Sequence, residues 1–306
     1  MNELTRAQAF VPEKAIVIQN DAGTAPCTWF EQDEYVLVSM PGVPFEMKWL
    51  MENEVIPRLK KKYHQNVHIR HRTISVTGIP EAALAIKLTD FENSLPSFVK
   101  LAYLPQSGII RLRLSACCDD EKMADETTAT LVDHLKEVVQ SYLLADVDKN
   151  IEVLVGEKLR ELNRTVGTAE SCTGGAIAAL LTSVPGSSDY YRGSIIAYSN
   201  EVKHRLLGVN TSDLTDYGAV SKQVVEQMAK GVLQVLGCDY ALATSGIAGP
   251  SGGTPDKPVG TVWIAVANKE TVYSRQFHFT PLREQNIQRT VNTTLVMLLN
   301  ALKTML

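Results

Sequence analysis

A chain of 306 residues is about twice the length of an average domain, which calls for two or three folded units. Its residues are 45% hydrophobic and 21% charged with a formal net charge of −4, a balance that is ordinary for a globular protein and excludes a general electrostatic grip on nucleic acid or an anionic membrane. Five cysteines (Cys27, Cys117, Cys118, Cys172 and Cys238) form no CxxC pair, no secretory-signal pattern is read, and no apolar run approaches the roughly 20 residues of a membrane span, so a reduced, cytoplasmic chain is expected.

In chain order, residues 1–63 read as short extended segments followed by a helix. Residues 35–39 read as a strand, Pro41-Gly42-Val43-Pro44 is a turn, and residues 45–59 carry apolar side chains at helical spacing. Lys60, Lys61 and Lys62 close that helix, where a cationic run reads as a solvated face beside the negative helix end rather than a phosphate patch. Polar residues up to His68 mark a first boundary. Residues 69–144 then read as a small α+β unit, with strands at 73–77 and 109–114 and helices at 80–88 and 121–143. In the last of these, Met123, Leu131, Leu135, Val138 and Tyr142 approximate one face. A second boundary falls at residues 145–150.

From residue 151 onward, helices and strands alternate. Helix 151–162, strand 165–168, helix 174–181, strand 193–198 and helix 221–236 precede strands at 240–244, 260–267 and 271–279. A closing helix sets Ile287, Val291, Leu295, Leu298 and Leu302 on one face. The alternation predicts an α/β layered sheet, and Asn268-Lys269-Glu270 between the last two strands predicts an antiparallel hairpin, so the sheet is expected to be mixed.

Three segments of this half carry chemistry. In Thr168-Ala169-Glu170-Ser171-Cys172-Thr173-Gly174-Gly175, Ser171 sits where a strand gives way to a glycine-rich helix. Amides at such a junction are unpaired, so those of Cys172, Thr173 and Gly174 are candidates to hold an oxyanion or phosphate, and Gly174 and Gly175 permit close approach by a ligand. Alone, the segment reads rather as a helix start capped by Ser171 or Thr173. Cys172 is the rival nucleophile, since a thiol at a helix N-terminus has a lowered pKa. None of the six histidines lies in a triad pattern, so the candidate base is Lys203, in the first turn of a helix capped by Asn200 and ending near Gly208, with Tyr198 as a proton relay. By itself Lys203 reads as a surface lysine. The third segment, residues 244–255, packs four glycines and two prolines between two strands; it matches neither a P-loop nor a GxGxxG fingerprint, and its amides suit an anion. Arg283 and Arg289, on the closing helix, are candidates to pair with phosphate.

These segments, together with Gly218-Ala219-Val220-Ser221, resemble in this order the C-terminal domain of the CinA family (competence/damage-inducible protein A), over residues 150–306. The resemblance implies a nicotinamide-mononucleotide amidohydrolase that forms nicotinate mononucleotide and ammonia in pyridine nucleotide salvage, without a cofactor. The expected partner is therefore a small-molecule nucleotide, with no nucleic acid and no membrane. The family's serine nucleophile falls on Ser171, and its assisting tyrosine and lysine on Tyr198 and Lys203. Substrate contacts are expected from Glu170, Cys172, Thr173, Gly174 and Gly175, from Thr244, Ser245, Gly246, Gly249 and Gly252, and from Arg289.

The front of the chain resembles another part of the same family. Gln8-Ala9, Pro12, Asn20, Gly23-Thr24-Ala25-Pro26 and Pro41-Gly42-Val43-Pro44-Phe45-Glu46-Met47 are similar to the latter part of its molybdopterin-binding-like domain. In full form that domain resembles molybdenum-cofactor biosynthesis proteins and is associated with metal-dependent ADP-ribose pyrophosphatase activity. Cys27 stands where the family usually has glycine, and the domain's first half, with its nucleotide loop and acidic metal motif, is not found. The expectation is α/β throughout: a partial domain over 1–63, a small α+β connecting domain over 69–144 and the amidohydrolase domain over 150–306. The partial domain is expected to expose sheet edges, to favour homo-oligomer formation and to lack pyrophosphatase activity; a divalent metal would matter only if it were active. The alternatives are a nucleotide-binding regulatory protein without turnover and a residual ADP-ribose pyrophosphatase in the N-terminal region.

Overall fold

The computed structural model describes residues 10–63 and 67–304; Gln8, Ala9 and His64 lie outside them. The chain divides into two compact units, Met1–Val67 and His68–Leu306. Among the described residues no helix is long and apolar enough to cross a membrane.

The first unit is an antiparallel sheet of β1 (Ile16–Ile18), β2 (Cys27–Gln32) and β3 (Tyr35–Ser39) with a helical segment on one face. Ile18, Cys27 and Trp29 pack there against Leu50 and Val55. On the other face Val17, Tyr35 and Leu37 stay exposed. The helix expected over 45–59 is not uniform: α1 (Pro44–Leu50) passes through a wider π turn (Met51–Val55) into α2 (Ile56–Lys62). Pro57 explains the widening, because it has no N–H for the Asn53 carbonyl and its ring crowds that carbonyl in an α-helix. The Ile56 amide reaches back five residues to Met51 O instead. The two motif strings of this unit are stitched together by Asn20, whose Nδ2 donates to Glu46 Oε2 at 2.6 Å and to Ala25 O at 2.9 Å.

The second unit opens with an antiparallel sheet in the order β5-β6-β4-β7, formed by β4 (His68–Thr77), β5 (Val99–Gln106), β6 (Ile109–Cys118) and β7 (Leu143–Ala145). Helices α3 (Glu81–Asn93) and α4 (Glu121–Val138) supply Leu84, Leu88, Phe91 and Leu135 to its core. Two expectations change here. β5 was not expected; it contains Pro105, which a central strand would reject but an edge strand tolerates. The helix expected to reach residue 143 ends at Val138, because Leu143–Ala145 pairs with Ser75 and Val76 of β4 and completes that edge.

The rest is a three-layered α/β arrangement around a five-stranded mixed sheet, in the order β12-β11-β10-β8-β9. β8 (Val166–Glu170), β9 (Tyr191–Ile196) and β10 (Tyr240–Gly246) are parallel; β11 (Thr261–Ala267) and β12 (Val272–His278) form the expected antiparallel hairpin. Period-two alternation splits the strand residues between two cores. Val166, Leu242 and Val266 meet α5 (Ile151–Glu161), α6 (Ala176–Thr182) and α10 (Arg283–Thr304). Ala169, Ala241, Ala243 and Ala265 meet α7 (Asn200–Leu207) and α9 (Lys222–Leu236). A short α8 (Thr211–Asp216), not expected from the sequence, lies between them in the chain. The carboxyl ends of β8, β9 and β10 therefore lie side by side, where ligands bind in open α/β sheets.

Candidate active site

A pocket of about 240 Å³ opens at these strand ends. Ser171 and Cys172 come from the end of β8, Tyr198, Asn200 and Lys203 from the β9–α7 junction, and Ser245, Gly246 and Ala248 from the end of β10. Ala219, Val220 and Arg283 complete its lining.

The turn after Ser171 is built by a carboxylate. Glu170 is fully buried, and its Oε2 accepts the amides of Gly175 (2.9 Å) and Ile177 (3.1 Å) while Oε1 accepts that of Ala178 (2.8 Å). An acidic side chain thus occupies the positive end of α6, the place where an anionic ligand would otherwise bind. Glu170, expected as a substrate contact, does not line the pocket. Gly174 (φ 60°) and Gly175 (φ 101°) take left-handed backbone so that the chain folds back onto this carboxylate, which delays α6 to Ala176. The Gly174 amide donates to Ser171 O at 3.1 Å, so it is not a free oxyanion donor. Among the described residues, no backbone carbonyl accepts the amides of Cys172 and Thr173.

Lys203 is 1% exposed. Its Nζ donates to Ala197 O at 2.8 Å and Tyr198 O at 3.2 Å, and among the described residues no carboxylate pairs with it. Burial pulls its pKa below the ordinary lysine value. The two carbonyls take two of its N–H groups and leave one position on the nitrogen unengaged, a third hydrogen on the ammonium or the lone pair on the neutral amine. The cap of α7 is Ser199, whose Oγ accepts the Val202 amide at 3.2 Å; Asn200, expected as the cap, is the first helical residue and faces the pocket instead.

Cys172 was the rival nucleophile to Ser171 on the ground of a lowered pKa. Both side chains line the pocket, and the thiol is pushed up to about 12, chiefly by burial. It lies in an apolar cluster with Ala248, Val262 and Ile264. Gly246 lets it in: a Cβ there would stand 2.7 Å from Val262 Cγ2 and 3.1 Å from Cys172 Sγ.

The remaining expected contacts divide. Ser245 lines the pocket and donates from Oγ to Ala219 O at 2.7 Å, tying β10 to the residue 218–221 turn. Thr173 and Thr244 are buried and share a hydroxyl hydrogen bond of 2.9 Å behind the pocket wall. Gly249, Gly252 and Arg289 do not line it. Arg283 does, donating from Nη1 to Gly249 O (3.1 Å) and from Nη2 to Tyr198 Oη (3.4 Å). No histidine lines it among the described residues.

Fold and pocket together define an α/β protein that presents a serine, a phenol and a buried amine with no carboxylate partner among the described residues, at the ends of parallel strands. Residues 148–302 match the family model of the CinA C-terminal domain, and residues 71–145 that of the damage-inducible protein CinA KH domain. A CinA-like protein of Flavobacterium psychrophilum is 42% identical over 97% of this chain and 71% of its own length. Another from Cytophaga hutchinsonii is 41% identical, over 99% of this chain and 72% of that protein. Among solved structures, the competence/damage inducible protein CihA from Agrobacterium tumefaciens is 40% identical, covers 50% of this chain and 95% of its own, and has a TM-score of 0.48. The chain belongs to the CinA family.

Proposed function

We propose that the chain hydrolyses the carboxamide of nicotinamide mononucleotide to nicotinate mononucleotide and ammonia, with Ser171 as nucleophile. The observation that carries this reading is Lys203: a lysine buried to 1% exposure, paired with no carboxylate among the described residues, lining the same small pocket as a serine at a strand end. Burial makes this amine give up its proton more readily than an ordinary lysine, and in such a pocket its use is to activate a hydroxyl.

The steps follow from these groups. The amine of Lys203 takes the proton of Ser171 Oγ as that oxygen attacks the carboxamide carbon. The Cys172 and Thr173 amides, which no backbone carbonyl takes, supply donors for the resulting oxyanion. The lysine proton, passed directly or through the Tyr198 hydroxyl, goes to the nitrogen, and ammonia leaves an acyl-serine. Water, deprotonated by the same amine, attacks the ester, and the serine departs with its proton restored and the carboxylate formed. Arg283 is the group best placed for the phosphate, because it lines the pocket while Arg289 does not.

The test is ammonia release from nicotinamide mononucleotide by the wild-type chain and by Ser171→Ala. Turnover by the wild type and a loss of about 10³-fold or more in the variant are expected. Full activity in Ser171→Ala removes the assigned nucleophile, and tight nucleotide binding without ammonia selects a regulatory protein instead.

A further inference from the structure

Asn286 belongs to no motif and does not line the site pocket, yet it is 1% exposed and uses its whole amide. Its Oδ1 accepts the Thr280 amide (2.9 Å) and the Thr280 hydroxyl (3.3 Å). Its Nδ2 donates to Thr280 O (2.8 Å) and to Ala248 O (2.9 Å). Two carbonyls on one side and donors on the other permit only this orientation of the amide.

Arg283 lies three residues earlier on the first turn of α10, so both side chains leave the same side of the helix. They take successive carbonyls of one loop: Asn286 holds Ala248 O, and Arg283 holds Gly249 O while reaching Tyr198 Oη. The loop is tied at its base by Ile247 N to Thr261 O and Gly260 N to Ile247 O. Between residues 248 and 253 its backbone has no backbone partner among the described residues. These two side chains are what join its pocket end to α10.

We propose that Asn286 is a positioning residue: by fixing Ala248 to the first turn of α10, it sets where the Arg283 guanidinium stands on the pocket wall, and so governs affinity for an anionic substrate rather than the chemical step. The substrate half of this inference rests on the amide-hydrolase reading above. Loss of the tie lets Arg283 and the 245–250 wall move apart, which weakens a contact made equally in ground and transition states and raises KM.

The experiment uses the full chain, with Asn286→Ala, Arg283→Ala and the double variant, and nicotinamide mononucleotide as the probe. Asn286→Ala is expected to raise KM by about tenfold with kcat within about twofold, and the double variant to be no worse than Arg283→Ala alone. A fall in kcat at unchanged KM, or effects that simply add, overturns the proposal. Hydrogen exchange gives a readout independent of turnover: peptides spanning residues 245–262 should exchange faster in Asn286→Ala while those of α9 stay at the wild-type rate. Unchanged exchange there also overturns it. If the wild type releases no ammonia, the proposed function fails while exchange still decides the positioning role. Should Asn286→Ala not fold, Asn286→Asp carries the same readouts, because it keeps the acceptor for Thr280 and loses the donor to Ala248 O.

Discussion

Lys203→Met separates the chemistry from the fold. The two side chains are similar in length, so methionine fits the space of a lysine that is 1% exposed. What the fold loses is two donors, to Ala197 O and Tyr198 O. A buried carbonyl left unpaired costs about 1–3 kcal/mol, and removing an amine that must itself be desolvated offsets part of this. The net change stays inside a typical stability of about 5–15 kcal/mol, so the variant is expected to fold. Activity is another matter. Without its base, kcat/KM should fall by about 10²–10⁴-fold, equivalent to about 3–5 kcal/mol of barrier. The pH dependence gives a second check. Burial lowers the folded-state pKa below the ordinary lysine value that the unfolded chain retains. Between those two values the unfolded state binds more protons, so this group makes stability rise with pH; above the ordinary value its contribution is flat, and below the folded value the full cost of burying the charge is present. In wild type, kcat/KM should climb with pH as the amine deprotonates and level off below the ordinary lysine range. Ammonia release across pH, alongside urea unfolding at the same pH values, measures both slopes. A Lys203→Met protein that keeps the acidic limb and more than a tenth of the activity would falsify the role of this amine.

Two further substitutions probe the turn around Ser171. Glu170→Gln keeps the shape but turns an N–H toward the amides of Gly175, Ile177 or Ala178, so urea unfolding should show a loss of roughly 3 kcal/mol; a loss below about 1 kcal/mol would mean that the carboxylate is not what closes α6. Cys172→Ala should keep ammonia release within about threefold, and iodoacetamide near neutral pH should label exposed Cys117 well before Cys172, whose thiol burial pushes up to about 12. If Cys172→Ala is inactive while Ser171→Ala is not, the thiol is the nucleophile.

The layered sheet was legible because its signals are local. Alternating residues such as Ala241, Leu242 and Ala243 face opposite cores, and that period is written in neighbouring positions. Features that depend on distant partners were not. Nothing near Leu143 announces that the free edge of β4 will claim it, and Pro105 argues against a strand until its place at the sheet edge is known. Glu170 shows the same limit at the site. Beside a serine at a helix start it reads as a ligand contact, and only the left-handed path through Gly174 and Gly175 brings the helix amides back onto it.

The closing helix divides what geometry could have ranked from what it could not. At about 100° per residue, the buried stripe of Val291, Leu295, Leu298 and Leu302 has a centre from which Arg289 stands about 150° away and Arg283 about 90°. The wheel therefore favours the flank position of Arg283 for contact with a neighbouring loop, in agreement with its place on the pocket wall. Asn286 defeats the same reasoning. It also lies about 150° from the stripe, where a helix in two-layer packing meets water, yet it is almost wholly buried. What covers it is the chain at Ala248 and Thr280, the two points whose carbonyls its amide binds. A polar residue on the solvent side of an amphipathic helix is thus the point where two loops, 32 residues apart in sequence (280 − 248), are fastened together. Its burial follows from those loops rather than from any period within the helix.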